Sequence, residues 1–178
     1  MPPYLAVPHY HLSKLPVTTK VALTCFATAL LGAMLFVTLG VFMERTGFET
    51  RRVQANWAGD ERVTRETGQR FGEREMYSEP GRRALYDIVH PHSFMMPLLY
   101  FVLCHMMEMS YAPRGVKIAL YVGAFVSMML VTFAPLLVSW SIGWAALVPP
   151  AVGVMSAAFA VMTAVPAWQM WFPGAERS

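Results

Sequence analysis

Charge is what this chain has least of. Only 14% of its 178 residues are charged while 56% are hydrophobic, about half the charge share of an ordinary water-soluble domain. The charges are also segregated, since eighteen of the twenty-five fall between Glu44 and Asp87. Elsewhere the apolar runs are almost uninterrupted, a pattern that fits lipid and not a water-facing surface. An excess of one sign is missing too: the polar stretch holds nine Arg and nine acidic residues, and the formal net charge is +3. No cationic field for nucleic acid results, so nucleic acid is not an expected partner.

Cysteine is nearly absent. Cys25 and Cys104 both lie inside apolar runs, where a thiol behaves as a small hydrophobe, and no disulfide framework is expected. The chain also lacks a glycine-rich phosphate loop, a nucleophile elbow and a zinc-protease helix motif, which leaves nothing to support a stand-alone hydrolase or nucleotide enzyme.

What is present is a set of long oily stretches. Val21 to Met43 holds 23 residues without a charge, enough at a rise of ~1.5 Å per residue to cross a hydrocarbon core of roughly 30 Å. The pattern predicts an all-α integral membrane protein: a four-helix up-down bundle in the lipid bilayer with one long polar loop between its first and second helices. The expected segments are an N-terminal stretch at 1–20, spans at 21–43, 91–109, 116–139 and 144–172, the polar loop at 44–90, and a tail at 173–178. The Pro-rich N-terminus and the length of the first run suit a retained span and not a cleaved signal peptide. Short connections at 110–115 and 140–144 make neighbouring spans antiparallel. Trp140, Trp144, Trp168, Trp171 and Tyr111 fall at span boundaries, as amphipathic rings do at the headgroup level.

The loop has mixed charge and too few bulky aliphatics for a core of its own. Phe48, Trp57, Phe71, Met76 and Tyr77 are nonetheless many for a solvated linker, so it is expected to lie on the end of the bundle or on a partner. Lys14, Lys20, Arg114 and Lys117 share one side with the termini, and the loop arginines stand on the other. Counting cations near span ends favours the loop side as cytoplasmic; the balancing acidic residues oppose this only if they are given weight. Small residues at helical spacing, Gly32 with Gly40 and Gly153 with Ala157, are expected to let helices approach closely. Pro97, Pro135 and Pro166 are expected to kink their spans.

Chemistry concentrates in the second span. His90, His92 and His105 are ionisable groups at or inside an apolar run, which makes them functional suspects. Imidazole can hold haem iron, another transition metal or a quinone carbonyl. His90 and His105 would stand roughly 22 Å apart along one helix and about 60° apart around it, so they cannot share one iron. Two stacked haem b groups would suit that separation, but spans one, three and four contain no histidine. A second ligand would have to be a Met such as Met34, Met128, Met129, Met155 or Met162, the same span of a second copy in a homo-oligomer, or another subunit. The bland reading pairs His105 with Glu108 one turn on and leaves His90 and His92 wet at the interface. His105 and Glu108 form a candidate proton relay. Asp60 and Glu61 with His90 or His92 form a weak candidate metal site, with ligand types but no known spacing. The cluster Met106, Met107, Met109 reads as flexible packing before it reads as a copper site.

Three motifs carry a resemblance: Thr46-Gly47-Phe48-Glu49-Thr50, then Asn56-Trp57-Ala58-Gly59-Asp60-Glu61, then Leu85 through Val89-His90-Pro91-His92-Ser93-Phe94. With them the chain resembles, over most of its length, a family of small four-span bacterial membrane proteins. Such proteins are similar in a Thr-Gly-Phe-Thr-Pro-like start to the first loop, a Gly-Asp-Glu turn and a His-x-His entry to the second span. Here Glu49-Thr50 replaces Thr-Pro and the stretch after Glu61 is longer. The resemblance implies genes beside multihaem c-type cytochromes, hence an electron-transfer subunit of the bacterial inner membrane with cytochrome or other membrane partners and its first loop periplasmic. The competing classes are a small proton- or ion-conducting bundle and a purely structural scaffold subunit; neither reading makes the chain catalytic alone.

Overall fold

A computed structural model of the chain describes residues 12–68 and 77–172. Among them every regular element is helical. A short 3-10 turn, Leu12–Lys14, precedes α1 (Val17–Leu35), which continues through a π-helical stretch, Phe36–Met43, into the single turn α2 (Glu44–Thr46). The expected polar loop then folds into α3 (Thr50–Ala58) and α4 (Asp60–Thr67), and three long elements follow: α5 (Arg82–Glu108), α6 (Arg114–Trp140) and, after a 3-10 stretch at Ile142–Leu147, α7 (Val148–Trp171).

Three helices are long and apolar enough to cross a membrane: Val17–Thr46, Arg114–Trp140 and Ile142–Trp171. Helix α5 is as long as α6 but carries Arg82, Arg83 and Asp87 at its start and the three histidines and Glu108 further on. It also begins nine residues before the expected start at position 91. The apolar runs 21–43 and 116–139 fall within the helical stretches Val17–Thr46 and Arg114–Trp140. The expected N-terminal segment and C-terminal tail fall largely, and Phe71 and Met76 wholly, outside the described residues.

Hydrogen bonds and packing fix how the long helices run. The Tyr121 hydroxyl donates to the Glu108 carboxylate (3.0 Å) while Tyr100 donates to the carbonyl of Tyr121 (3.2 Å), a register in which α5 and α6 are antiparallel. Helices α6 and α7 pack Val138 and Ala134 at the end where Val148 and Val152 lie, and Ala124 and Met128 where Phe159 and Met162 lie. They are therefore antiparallel as well. Helix α1 joins α7 through the Thr38 and Ser156 hydroxyls (2.9 Å) and through the Trp171 indole N–H donating to Thr24 (2.9 Å). Lys20 stands 5.8 Å from the Trp171 ring centroid. Contact is thin nonetheless: 6% of the central apolar stretch of Val17–Thr46 is buried within the protein, against 39% for each of the other two candidate spans.

The small-residue expectation is not met. A Cβ added at Gly32 or Gly153 would meet nothing within 4 Å, and at Gly40 only Phe36 of its own helix. The interior is filled instead by Leu103, Met107, Met128, Phe159 and Met162, so bulky apolar interdigitation, with no hydrophobic drive between helices in lipid, sets the spacing. Trp140, Trp168 and Trp171 are exposed near helix ends, as the boundary reading requires.

The mixed-charge loop lies on the bundle end. Val53, Ala58 and Val63 are fully buried against Ala134, Val138 and Val148, with Phe48 and Trp57 packed beside them. Its corner is Gly59, where φ is +76° and ψ 151°, a region open essentially to glycine alone. The next residue, Asp60, donates its N–H to the Tyr77 carbonyl (2.9 Å) and accepts the Tyr77 N–H on its carboxylate (2.8 Å), a two-way clamp on the returning chain.

Arg62 ties this cap to the membrane helices. Its guanidinium donates to the carbonyls of Ser139 and Trp140, the last turn of α6, and to Glu66. Those carbonyls have no partner inside the helix, and only a forked side chain reaches both. Arg62→Lys keeps the charge and loses the fork. The expected cost is about 1.5–3 kcal/mol, the range for hydrogen bonds to a charged group. Thermal unfolding in detergent should show an apparent Tm lower by roughly 3–12 °C, with α-helical circular dichroism unchanged at low temperature.

Candidate functional site

The histidines of α5 do not converge. His90 is exposed, its ring edge-on to Phe94 with centroids 5.3 Å apart. His105 is exposed beside Phe101, centroids 4.8 Å apart. Glu108 pairs with Tyr121 (3.0 Å) and Lys117 (4.0 Å), and Lys117 also donates to the Glu108 carbonyl (2.7 Å), capping the end of α5. His105 and Glu108 are on one helix without a hydrogen bond between them. Asp60 is engaged with Tyr77, Glu61 is exposed, and among the described residues no three His, Cys, Asp or Glu side chains stand together as a metal site.

His92 is exposed as well. Together with Arg45, Asn56, Trp57, Met96 and Thr132 it lines a cleft of about 290 Å³ walled by the α1–α2 rod, α3, α5 and α6. The walls are mostly apolar, among them Val37, Val41, Phe42, Ile88, Val131 and Pro135. An apolar cleft near ~300 Å³ with a few polar groups is the usual form of a small-ligand site.

Sequence places the polar groups at the cleft by local rules. The Gly47–Phe48 reversal, with φ of +57° and +59°, ends the first rod and turns α3 back over its tip. The Thr46 hydroxyl donates to the Phe42 carbonyl (2.7 Å) and accepts the Phe48 N–H (3.3 Å). Phe48 then packs edge-on against Phe42, centroids 5.0 Å apart, holding the uncommon backbone. Asn56 and Trp57, on the last turn of α3 before Gly59, are thereby carried over the cleft.

His92 Nδ1 lies 2.7 Å from the Ile88 carbonyl. A carbonyl only accepts, so Nδ1 carries the proton of that bond, and Nε2 is left outside it. His92 is thus oriented by its own helix, with Nε2 as its remaining nitrogen. Arg45, Asn56 and Trp57 supply donors. His92 is the one residue of this lining that the histidine count singled out. Thr132 and Arg45 were not singled out; an isolated hydroxyl three residues before Pro135 in an oily run is the signal that could have found the former.

Comparison with curated proteins and with solved structures returned no match. A family model described as a transmembrane helical domain matches residues 47–177, from the tip of the first rod through α7. The match covers most of the chain, and the chain belongs to this transmembrane helical domain family.

Proposed function

We propose that this protein is a membrane subunit of an electron-transfer assembly that holds a quinone in the cleft beside His92. The observation that carries the reading is the cleft itself: a mostly apolar space in which an imidazole with a free nitrogen, an amide and a guanidinium meet. In this reading α5 crosses the bilayer beside α6 and α7, which completes four antiparallel spans. Its polar start packs with the α3–α4 cap at the membrane surface, and the cleft lies just inside that surface. The cap faces the periplasm of a bacterial inner membrane, where a c-type cytochrome partner would dock.

A bound quinone supplies two-electron, two-proton chemistry in the lipid phase. The chain's own contribution is to position the ring. His92 presents Nε2 to a quinol hydroxyl as an acceptor, or to a quinone carbonyl as a donor once protonated, Asn56 and Arg45 offer donors, and the walls are mostly apolar. His90 and His105, exposed on α5, have no part in the cleft; a haem held by them would need a ligand from a partner or a second copy.

The test is purification of the native assembly in mild detergent. The expected result is copurified quinone and a reduced-minus-oxidised absorption spectrum showing a cytochrome in the assembly. His92→Gln should retain the assembly while quinone content falls by about tenfold, the cost of one good hydrogen bond. An assembly with no redox centre of any kind would end this reading.

A further inference from the structure

A second cleft, of about 710 Å³, opens where the start of α5 meets the end of α6, and it shares no lining residue with the His92 cleft. Its lining grades from polar to apolar. Glu79 and Arg82 stand at one end, while Leu85 and Tyr86 on α5 and Leu136 on α6 lie about one helical turn further along. Trp140 closes the side. This gradient falls at the membrane boundary, because α6 is long and apolar enough to cross a bilayer and ends at Trp140, and α5 runs antiparallel to it. Trp140 and Tyr86 are exposed there, as amphipathic rings are at the headgroup level.

Charge at the polar rim is one-sided. Glu79 already stands 3.8 Å from the Arg62 guanidinium, whereas Arg82 and its neighbour Arg83, both exposed, form no ion pair among the described residues. A guanidinium left uncommitted above an apolar trough is complementary to a phosphodiester that carries acyl chains. A bare inorganic anion would leave the trough unused, and a plain hydrocarbon would leave the arginine unused. We propose that this cleft binds one anionic phospholipid, with its phosphate on Arg82 and an acyl chain along Leu85 and Leu136. A zwitterionic headgroup is the poorer fit, since it brings an ammonium to a rim where Arg82 and Arg83 outnumber Glu79. The site stands apart from the quinone reading.

The experiment is native mass spectrometry of the full chain in detergent, titrated with phosphatidylglycerol and with phosphatidylcholine of identical acyl chains. The wild type should retain one phosphatidylglycerol about fivefold more tightly, the usual worth of one basic side chain beside an anionic headgroup. Arg82→Gln, at an exposed position that leaves the helical circular dichroism unchanged, should bring the two affinities together. Arg65→Gln removes an equal charge from the exposed side of α4, outside this cleft, and should leave the preference in place. Excess glycerol phosphate, which has the phosphate without the chains, should not displace the bound lipid. Equal retention of the two lipids by the wild type, or a preference that survives Arg82→Gln, would overturn the site. So would an equal loss in Arg65→Gln, which would mean attraction to the whole cap, or displacement by glycerol phosphate, which would mean that the trough holds no chain. None of these outcomes touches the His92 cleft.

Discussion

Gly59→Ala should be the most damaging single-methyl addition in the chain, lowering the apparent Tm in detergent by roughly 6–16 °C for a loss of about 3–4 kcal/mol. Two effects add. The backbone at φ +76°, ψ 151° is strained for any residue with a Cβ, at about 1–3 kcal/mol. The new Cβ would also stand 2.6 Å from the Glu79 nitrogen and 2.9 Å from its Cα, backbone atoms that cannot swing aside. Moving them pulls on the adjoining Asp60–Tyr77 clamp, and with it on Arg62 and the end of α6. Gly68 is the matched control: it too has positive φ, +70°, but nothing lies within 4 Å of an added Cβ. Gly68→Ala should cost only about 1–2 kcal/mol, the usual left-handed penalty. Equal shifts for the two variants would mean that the α3–α4 corner is not packed against Glu79 as described.

Phe159→Ala should produce the largest loss among the membrane helices. The ring is 1% exposed and lies among Leu103, Met128 and Met162 where α5, α6 and α7 meet. In a water-soluble core such a truncation costs about 3–5 kcal/mol, part transfer from water and part cavity. Between lipid-embedded helices the transfer part is largely absent, so the cavity and lost dispersion leave an expected cost of roughly 2–3 kcal/mol. Phe36→Ala, at a side chain 69% exposed on the first rod, should stay within about 0.5 kcal/mol. The measurement is apparent Tm or denaturant midpoint in one detergent. A Phe36 effect as large as that of Phe159 would place the packed interior on the wrong side of the bundle.

The spans were legible in the sequence because hydrocarbon imposes a length and tolerates almost no charge. Val21–Met43 and Val116–Ser139 lie inside the observed helices, within a few residues at each end. The cap was not legible as helices. Helices α3 and α4 bury few side chains, Val53, Ala55 and Ala58 in one and Asp60 and Val63 in the other, and so short an apolar stripe is lost among mixed charges. Only its large rings betrayed that it had to pack on something. The glycine spacings misled for the opposite reason: Gly32 with Gly40 and Gly153 with Ala157 stand at helical spacing, but close packing is a property of two helices and the sequence of one does not contain it.

The site was half legible. His92 stood out because an imidazole in an oily run needs a reason. Thr132 did not, because a threonine in such a run ordinarily hides its hydroxyl on its own helix, and only coordinates show that this hydroxyl has no hydrogen-bond partner.

The thin seating of the first rod has a kinetic consequence. Val37, Val41 and Phe42, which form one side of the His92 cleft, belong to the element with the least of its apolar stretch buried against its neighbours. Its fastening to α7 at Thr38 stands beside Val37, and its tip is held to the cap through Thr46 and the Phe42–Phe48 contact. On the quinone reading, a molecule arriving sideways from the acyl chains meets this rod first, and the pace of exchange should follow the Thr38–Ser156 fastening beside Val37 and not the trio behind it.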